Sequence, residues 1–174
     1  MTEEIFDVCD AQDRVIGQCS RQEVHARNLL HRAVHIWILN SAGELLLQRR
    51  TATKDQFPDC YTSSASGHVD AGEDYETAAI RELQEELQLQ GDLIWGAKLP
   101  ASAETAYEHT VLFHLQTDQR PIPDPVEIAS LSYLPTATIA SLLKESPQTF
   151  TPPFRRLFED WWAEEIGLER MTRA

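Results

Sequence analysis

Short runs of alternating hydrophobic and polar residues fill the first half of the chain and predict paired strands. Residues 5–17, IFDVCDAQDRVIG, predict two short strands around a polar turn, and RQEVHARNLL after them predicts a short helix. The run RAVHIWILNSAGELLLQRR predicts two longer strands joined at residues 40–43, because Asn, Ser and Gly accept turn geometry at little cost. Alternation places His35 and Trp37 on one face of the first of these strands, with aliphatic residues on the other.

The second half of the chain predicts further strands and three helices. Strands are predicted over residues 61–66, 93–98, 109–116 and 129–134, and helices over residues 75–87, 137–144 and from Pro153 onward. Asp74 is the expected N-cap of the first of these helices. The predicted fold class is therefore α/β, with a mixed β-sheet between helices.

An aromatic stripe runs along the predicted C-terminal helix. Its members recur at helical spacing: Phe154, Leu157, Phe158, Trp161 and Trp162. We expect this stripe to pack on the core of its own chain. An interface between two copies, giving a homodimer, is the alternative.

Composition and charge narrow the class of protein. A chain of 174 residues with 42% hydrophobic residues is long enough to bury a core, and we expect a single domain over residues 1–174. Its formal charge of −13 argues against binding a nucleic acid polymer or a membrane surface. The chain has no hydrophobic run of about 20 residues and no signal-like start, so the expected location is cytoplasmic. Cys9, Cys19 and Cys60 form no CxxC pair, so buried free thiols are expected.

Acidic residues cluster on the predicted helix over residues 75–87. At about 100° per residue, Glu82, Glu85 and Glu86 fall within an arc of about 100°. A hydrophobic stripe adjoins them, formed by Ala79, Ile80, Leu83 and Leu87. Like charges at this spacing repel each other. Glycines in the preceding loop permit tight bends that would aim the Gly67 carbonyl toward these three glutamates. Oxygen atoms clustered in this way favour binding of Mg²⁺ or Mn²⁺. A solvated acidic face is the alternative.

The same segment, GHVDAGEDYETAAIRELQEELQL, carries a longer pattern that resembles the Nudix signature. The match over residues 67–89 comprises Gly67, Glu73, Arg81, Glu82, Leu83, Glu85, Glu86 and Leu89. Gln88 stands where the signature usually has glycine, a departure that affects the last turn of the helix and leaves the chemistry untouched. The chain therefore resembles the Nudix hydrolase superfamily.

This resemblance implies a Nudix-like α/β/α sandwich and a metal-dependent hydrolase. Such an enzyme cleaves a phosphoanhydride bond in a nucleoside diphosphate derivative or related small metabolite, with Mg²⁺, or alternatively Mn²⁺, as its cofactor. The implied metal ligands are Gly67, through its carbonyl, and Glu82, Glu85 and Glu86. Glu73 and Arg81 are implied to brace the loop against the helix by an ion pair.

A closer resemblance extends upstream of the signature. The segment LLHRAVHIWILNSAGELLLQRRTATKDQFPDCYTSSASGHV looks like the Nudix subgroup that includes type 1 isopentenyl-diphosphate isomerase, an enzyme that transfers protons and performs no hydrolysis. This likeness implies a second metal site formed by His25, His31 and His68, with Glu108 as an acidic residue of the active site. Histidines without a metal, bonded within their own loops, are the alternative.

The catalytic cysteine of that isomerase subgroup falls at Ser66 in this chain. A hydroxyl is a far weaker acid than a thiol and needs a dedicated base to transfer protons. We therefore expect isomerase-like ancestry with hydrolase activity. An isomerase-like proton-transfer enzyme and a non-catalytic nucleotide-binding module are the alternatives.

Several further residues are candidates for contacts with a small-molecule diphosphate. Arg49 and Arg50 end a predicted strand, so one of them is expected to face the substrate and bind a phosphate, and Lys54 is a further candidate. A surface salt bridge is the alternative for each. The candidates for the general base are Glu82, Glu85, Glu104 and Glu108. Trp37 and Tyr107 are candidates for stacking on a nucleobase, and burial of these rings in the core is the alternative.

Overall fold

The computed structural model describes residues 3–162. In that range the strands are β1 (Ile5–Cys9), β2 (Val15–Ser20), β3 (His31–Leu39), β4 (Leu45–Arg50), β5 (Tyr61–Thr62), β6 (Ala65–His68), β7 (Ile94–Leu99), β8 (Glu108–Gln116) and β9 (Ile128–Leu134). The α-helices are α1 (Arg21–Arg27), α2 (Tyr75–Leu87), α3 (Thr136–Glu145) and α4 (Pro152–Leu157). Short 3-10 turns lie at Ala103–Thr105 and Pro147–Thr149, and a π-helical turn follows α4 at Phe158–Trp162.

The strands form two sheets. β1 and β2 pair with each other in a small antiparallel sheet, and the other seven form one mixed sheet. In the mixed sheet β3 runs parallel to β8, whereas the pairs β3–β6, β4–β5, β4–β9 and β7–β8 are antiparallel. Helix α2 packs on one face of this sheet, and α3 and α4 pack on the other. The predicted α/β fold, a mixed sheet between helices, is confirmed. None of the helices in the described range is long and hydrophobic enough to cross a bilayer.

The predicted turn at residues 40–43 is present, but the two strands that it joins separate at once. β3 and β4 pair at Leu39 and Leu45, after which β5 and β6 lie between them. The Ser64 hydroxyl spans the point of separation: it accepts a hydrogen bond from the amide of Ile38 (2.8 Å) and donates one to the carbonyl of Leu46 (2.6 Å). Because this hydroxyl satisfies a backbone group of each strand, the sheet opens there without leaving buried polar groups unpaired.

The aromatic stripe near the C-terminus belongs to the core on the α4 face of the sheet. Phe154 and Leu157 are fully buried, and the Phe154 ring lies 5.6 Å from the Trp37 ring, centroid to centroid. The prediction that the stripe packs on its own chain is confirmed for these residues. The side chain of Trp162 lies outside the described residues, and a homodimer stays a prediction.

Helix α2 has the predicted bounds and the predicted cap. The Asp74 carboxylate accepts a hydrogen bond from the amide of Thr77 at 2.8 Å, which satisfies one of the free amides of the first turn. Most of the predicted hydrophobic stripe is buried, but Ile80 is 52% exposed, so its assignment to that stripe is wrong. Ile80 lies at the edge of the predicted arc, and Ala78 takes its place in the core.

The exit from α2 keeps a left-handed backbone although it has no glycine. Gln88 has φ 53°, and its amide bonds to the carbonyl of Gln84. A side chain in this conformation costs about 1–2 kcal/mol, which glycine would avoid. The turn nonetheless delivers Leu89 into the core, where it is 3% exposed. The departure from the Nudix signature therefore leaves the geometry of the turn intact.

Of the cysteines, Cys9 is buried, whereas Cys19 and Cys60 are half-buried. All three are free thiols. The prediction of free thiols is confirmed, and the prediction of burial holds for Cys9 alone.

Candidate active site

A cavity of about 380 Å³ opens where β3 and β4 separate. Side chains from both faces of the sheet line it, because the gap between the strands connects the α2 side with the α4 side. Its acidic residues are Glu4, Asp70, Glu82, Glu85, Glu86, Glu108, Asp124 and Glu127, and its basic residues are Arg21, Arg50, Lys54 and Arg81. Since acidic groups outnumber basic ones, an anionic ligand needs additional positive charge to bind here.

Two glutamates of α2 lie at the wall of this cavity: Glu86 is buried, and the Glu82 side chain is 13% exposed. Burial raises the pKa of Glu86 to about 8, with the nearby Glu82 carboxylate adding to the effect. Burial also raises the pKa of Glu82 to about 7, against the opposing effect of Arg81. Glu85, by contrast, has a side chain that is 60% exposed, and it lies 3.3 Å from Arg81. The three carboxylates of the signature therefore face the cavity from environments of different polarity.

Hydrogen bonds from the strands fix the position of Glu86. One of its carboxylate oxygens accepts from the backbone amide of Ser66 at 3.0 Å and from the side-chain amide of Gln48 at 2.8 Å. Ser66 belongs to β6 and Gln48 to β4, so this carboxylate lies in the gap between the separated strands. Sequence reasoning did not single out Gln48, because its role depends on the opening of the sheet.

Arg81 ties the loop before α2 to the helix. Its guanidinium forms a bidentate ion pair with Glu73 (3.0 and 2.9 Å), donates to the carbonyl of His68 (3.0 Å), and contacts Glu82 at 2.6 Å. Charge-assisted bonds in this fork geometry are strong and directional. Arg81 therefore orients the Glu82 carboxylate as well as the loop.

Gly67 lies in the extended strand β6, opposite Val34. The expectation of a tight bend at Gly67 is wrong, whereas Gly72 does bend, with φ 80°. A Cβ atom at position 67 would lie 2.1 Å from the carboxyl carbon of Glu82. A side chain at position 67 would therefore force the Glu82 carboxylate to move away from the strand.

Three histidines converge beside the cavity, and one of them, His68, lines it. The ligand nitrogens of His25, His31 and His68 all lie within 4.8 Å of one another. His31 bonds through Nδ1 to the Leu29 carbonyl at 2.8 Å, and its buried Nε2 has no hydrogen-bond partner among the described residues. Glu108 completes the group, with a carboxylate oxygen 3.1 Å from Nε2 of His68 and 3.8 Å from Nε2 of His31.

Burial keeps these imidazoles neutral. It lowers the pKa of His31 to about 4 and that of His68 to about 3, and it lowers the pKa of His25 as well. Burial also raises the pKa of Glu108. Neutral nitrogens with an orphaned lone pair, beside a carboxyl group, are the donor set that a divalent metal requires. The residues present therefore fit a metal ion.

Of the basic residues suggested to bind phosphate, Arg50 and Lys54 line the cavity and Arg49 does not. Arg50 lines the cavity and donates two hydrogen bonds to the Gln56 carbonyl, at 3.2 and 3.1 Å. Arg49 lies outside the cavity lining, with a side chain 46% exposed and paired to Asp59 at 3.3 Å. Lys54 lines the cavity and is ion-paired with Glu127.

The remaining residues suggested by the sequence are not part of the cavity lining, whereas Glu127, which the sequence did not suggest, is part of it. Glu104 is 73% exposed and lies 3.7 Å from Arg156, Trp37 is fully buried, and Tyr107 is not among the lining residues. Glu127 was missed: it lines the cavity and adds to the raised pKa of Glu82 and Glu86. It follows a proline-marked loop without a recognisable motif, so the sequence carries no signal for it.

With this geometry established, comparison with known proteins identifies the family. The sequence model of the NUDIX domain matches residues 29–157, which is most of the chain. The chain therefore belongs to the NUDIX domain family, and the resemblance noted from the signature is confirmed.

Similar proteins include both hydrolases and isomerases. An uncharacterised Nudix hydrolase of Streptomyces coelicolor is 46% identical over 89 residues, which cover 51% of this chain and 49% of that protein, so the match spans about half of that relative. The isopentenyl-diphosphate Delta-isomerase 2 of Photorhabdus laumondii is 31% identical over 170 residues, covering 94% of this chain and 96% of that protein. The crystal structure of DR0079 from Deinococcus radiodurans superposes with a TM-score of 0.78 at 24% identity, covering 91% of this chain and 99% of that one, which shows the shared fold.

Replacing Gly67 with alanine is expected to displace Glu82 and weaken divalent metal binding by about tenfold or more, because small misplacements of a ligand are costly. Gly17→Ala is the matched control, since a Cβ there meets nothing within 4 Å. Affinity for Mn²⁺, measured by electron paramagnetic resonance, checks the prediction. A folded Gly67→Ala protein that binds Mn²⁺ as tightly as the Gly17→Ala protein would contradict it.

Added Mg²⁺ is expected to raise the melting temperature more at pH 8.5 than at pH 5.5. The native pKa values of Glu82 and Glu86, about 7 and about 8, lie above the ordinary value of 4.5. Between pH 4.5 and about 8, the native state therefore holds more protons on these two groups than the unfolded state does. The free energy of unfolding consequently falls as the pH rises toward 8. A bound cation offsets that loss. In the double variant Glu82→Gln, Glu86→Gln the pH dependence should flatten, and a Mg²⁺ effect equal at both pH values in wild type would refute the assignment.

Proposed function

We propose that the protein is a metal-dependent hydrolase that cleaves a phosphoanhydride bond in a nucleoside diphosphate derivative or a related small metabolite. The observation that carries the proposal is a pair of carboxyl groups at an acidic cavity beside Gly67: Glu86, which is buried, and Glu82, which is largely shielded from solvent, both fixed by hydrogen bonds. Burying such groups is unfavourable unless a cation neutralises them. Their donor chemistry, oxygen only, fits Mg²⁺, with Mn²⁺ as the alternative.

In this proposal Glu82, Glu85, Glu86 and the Gly67 carbonyl hold the Mg²⁺. When bound, the ion lowers the pKa of a coordinated water and offsets negative charge on the phosphate groups. The residues of the chain then have separate tasks. Ser66 and Gln48 hold the Glu86 carboxylate in place, and Arg50, at the cavity wall, is placed to bind a phosphate oxygen.

The general base is one of the carboxylates that line the cavity. Glu82, Glu85 and Glu108 meet this condition among the residues suggested by the sequence, and Glu127 joins them. Glu104 does not, since it lies outside the cavity lining and near Arg156. Lys54, which pairs with Glu127, holds positive charge at the same wall and is the second candidate for a phosphate contact.

We also propose that His25, His31 and His68, with Glu108, form a second metal site. The support is the converging set of neutral nitrogens and the orphaned Nε2 of His31. Imidazole nitrogens suit softer ions than the oxygen ligands of α2 do, so the two sites would differ in metal preference.

An isomerase-like proton transfer is the second candidate function, because isopentenyl-diphosphate isomerases match nearly the whole chain. Against it stands Ser66, whose hydroxyl is a much weaker acid than the thiol that the resemblance implies at this position. We therefore favour hydrolysis.

Glu86→Gln is expected to lower Mg²⁺-dependent hydrolysis by at least about two orders of magnitude while the fold is retained, because the metal contributes much of the rate. Glu76→Gln is the matched control, as Glu76 is exposed on the same helix. Chromatographic identification of products from a panel of nucleoside diphosphate compounds measures the activity. Near-wild-type turnover in a folded Glu86→Gln protein would refute the metal-site assignment.

The native protein is expected not to interconvert isopentenyl and dimethylallyl diphosphate, because a serine replaces the acidic thiol. Proton NMR of either compound with the protein and Mg²⁺ or Mn²⁺ checks this. The variant Ser66→Cys tests whether the missing thiol is the cause. Metal-dependent interconversion by the native protein would overturn the argument from Ser66.

A further inference from the structure

His35 is a buried histidine that belongs neither to the Nudix signature nor to the cluster of His25, His31 and His68. It lies on β3, is 5% exposed, and lines the cavity. Its neighbour in register is Ser66 of β6, so the two side chains share one face of the sheet. That face is the one covered by α4, opposite the glutamates of α2.

A chain of hydrogen bonds determines which ring nitrogen of His35 carries the proton. Trp37 donates from its indole nitrogen to the Ser63 hydroxyl oxygen at 2.9 Å, and the same oxygen lies 2.7 Å from Nδ1 of His35. Ser63 is fully buried, and among the described residues its hydroxyl hydrogen has no other acceptor than Nδ1. If Nδ1 of His35 donated to the Ser63 oxygen instead, the Ser63 hydroxyl hydrogen would be left unpaired in the interior, which is destabilising. Hydrogen-bond counting therefore assigns Ser63 as donor to Nδ1.

It follows that Nε2 of His35 carries the ring hydrogen and is a donor. No residue within the described range accepts a hydrogen bond from it. Burial lowers the pKa of His35 to about 4, so the ring is neutral. A neutral N–H recognises an oxygen acceptor by direction and not by charge, unlike the guanidinium of Arg50.

The cavity that His35 lines is mainly polar. Besides Ser66, its lining includes Thr62 and Thr151, whose hydroxyls are 2.9 Å apart, and Glu108; its hydrophobic members are Phe6, Ala33, Phe57 and Pro153. Hydroxyl and carboxyl groups match the hydroxyls of a ligand better than they match a hydrocarbon chain, since a polar group left unpaired against hydrocarbon is destabilising.

We propose that His35 is a substrate-binding residue, which donates a hydrogen bond from Nε2 to an oxygen of the organic part of the substrate, and that this part is a hydroxylated group such as a sugar. The proposal rests on the phosphoanhydride hydrolysis proposed above. It adds one specificity-determining contact, which favours substrates with a hydroxylated organic part over those with a hydrocarbon chain.

Kinetics with His35→Leu and His35→Gln test the contact. UDP-glucose and ADP-ribose serve as hydroxylated probes, and isopentenyl diphosphate serves as the hydrocarbon probe. His35→Leu is expected to raise KM for the hydroxylated probe that is hydrolysed by about tenfold, the effect of one neutral hydrogen bond, with a smaller change in kcat. His35→Gln, which keeps an N–H donor, is expected to restore most of the affinity. An unchanged KM for the hydroxylated probes, or an equal rise for isopentenyl diphosphate, would overturn the proposal.

Nitrogen-15 NMR of the His35 ring gives a second readout that needs no activity. The expected tautomer in the free protein is Nε2–H, and the Nε2 signal is expected to shift with millimolar UDP-glucose. Ser63→Ala should raise the share of the Nδ1–H form, whereas Ser64→Ala, which removes an equally buried serine without a bond to His35, should not. A predominant Nδ1–H form in wild type overturns the proposal.

The two proposals fail in different ways. If wild-type protein with Mg²⁺ hydrolyses neither these probes nor any compound of the nucleoside diphosphate panel, the proposed function falls, and the NMR signal of the His35 ring alone decides the role of His35. In that case an Nε2 signal that does not respond to UDP-glucose or ADP-ribose refutes it. If the probes are hydrolysed but His35→Leu behaves as wild type, the function stands and the role of His35 falls.

Discussion

The carboxylate of Glu86, buried in the gap between β3 and β4, is the constraint on which the rest of the site depends. A charge in such a place is unfavourable unless hydrogen bonds and a cation compensate for it. The amide of Ser66 and the side chain of Gln48 supply the hydrogen bonds, and they reach the carboxylate because the two strands have separated. The gap that Ser64 spans therefore creates the polar pocket and joins the two faces of the sheet in one cavity.

The small β1–β2 sheet contributes to the same cavity from outside the mixed sheet. Phe6 of β1 stacks on His31, with ring centroids 5.9 Å apart, and on His68, with centroids 4.7 Å apart. A hydrophobic ring beside these histidines strengthens the desolvation that lowers their pKa values. The oxygen donors of α2 line the cavity, whereas the nitrogen donors backed by Phe6 lie beside it and reach its wall through His68.

Local signals made α2 predictable, and long-range pairing hid much of the site. Asp74 and the spacing of the hydrophobic residues define the helix within a short stretch, so helical periodicity alone places the glutamates on one surface. The reason for Gly67 is not local, because it lies in the close approach of the Glu82 carboxylate, which a side chain at position 67 would displace. His35 and Glu127 share this limit. The role of His35 depends on its hydrogen bond with Ser63, which also accepts one from Trp37, and that of Glu127 depends on the path of a loop.

The charge balance of the cavity links metal and substrate binding. Acidic groups outnumber basic ones at its wall, and the chain as a whole carries a formal charge of −13, so a diphosphate approaches against an unfavourable field. In the proposed function, a divalent cation held by the α2 carboxylates would offset part of this negative charge. By thermodynamic linkage, the factor by which the cation raises affinity for the diphosphate equals the factor by which the diphosphate raises affinity for the cation. In the proposed function the glutamates, unfavourably placed on their own, would therefore be one part of a site that the metal and the substrate complete together.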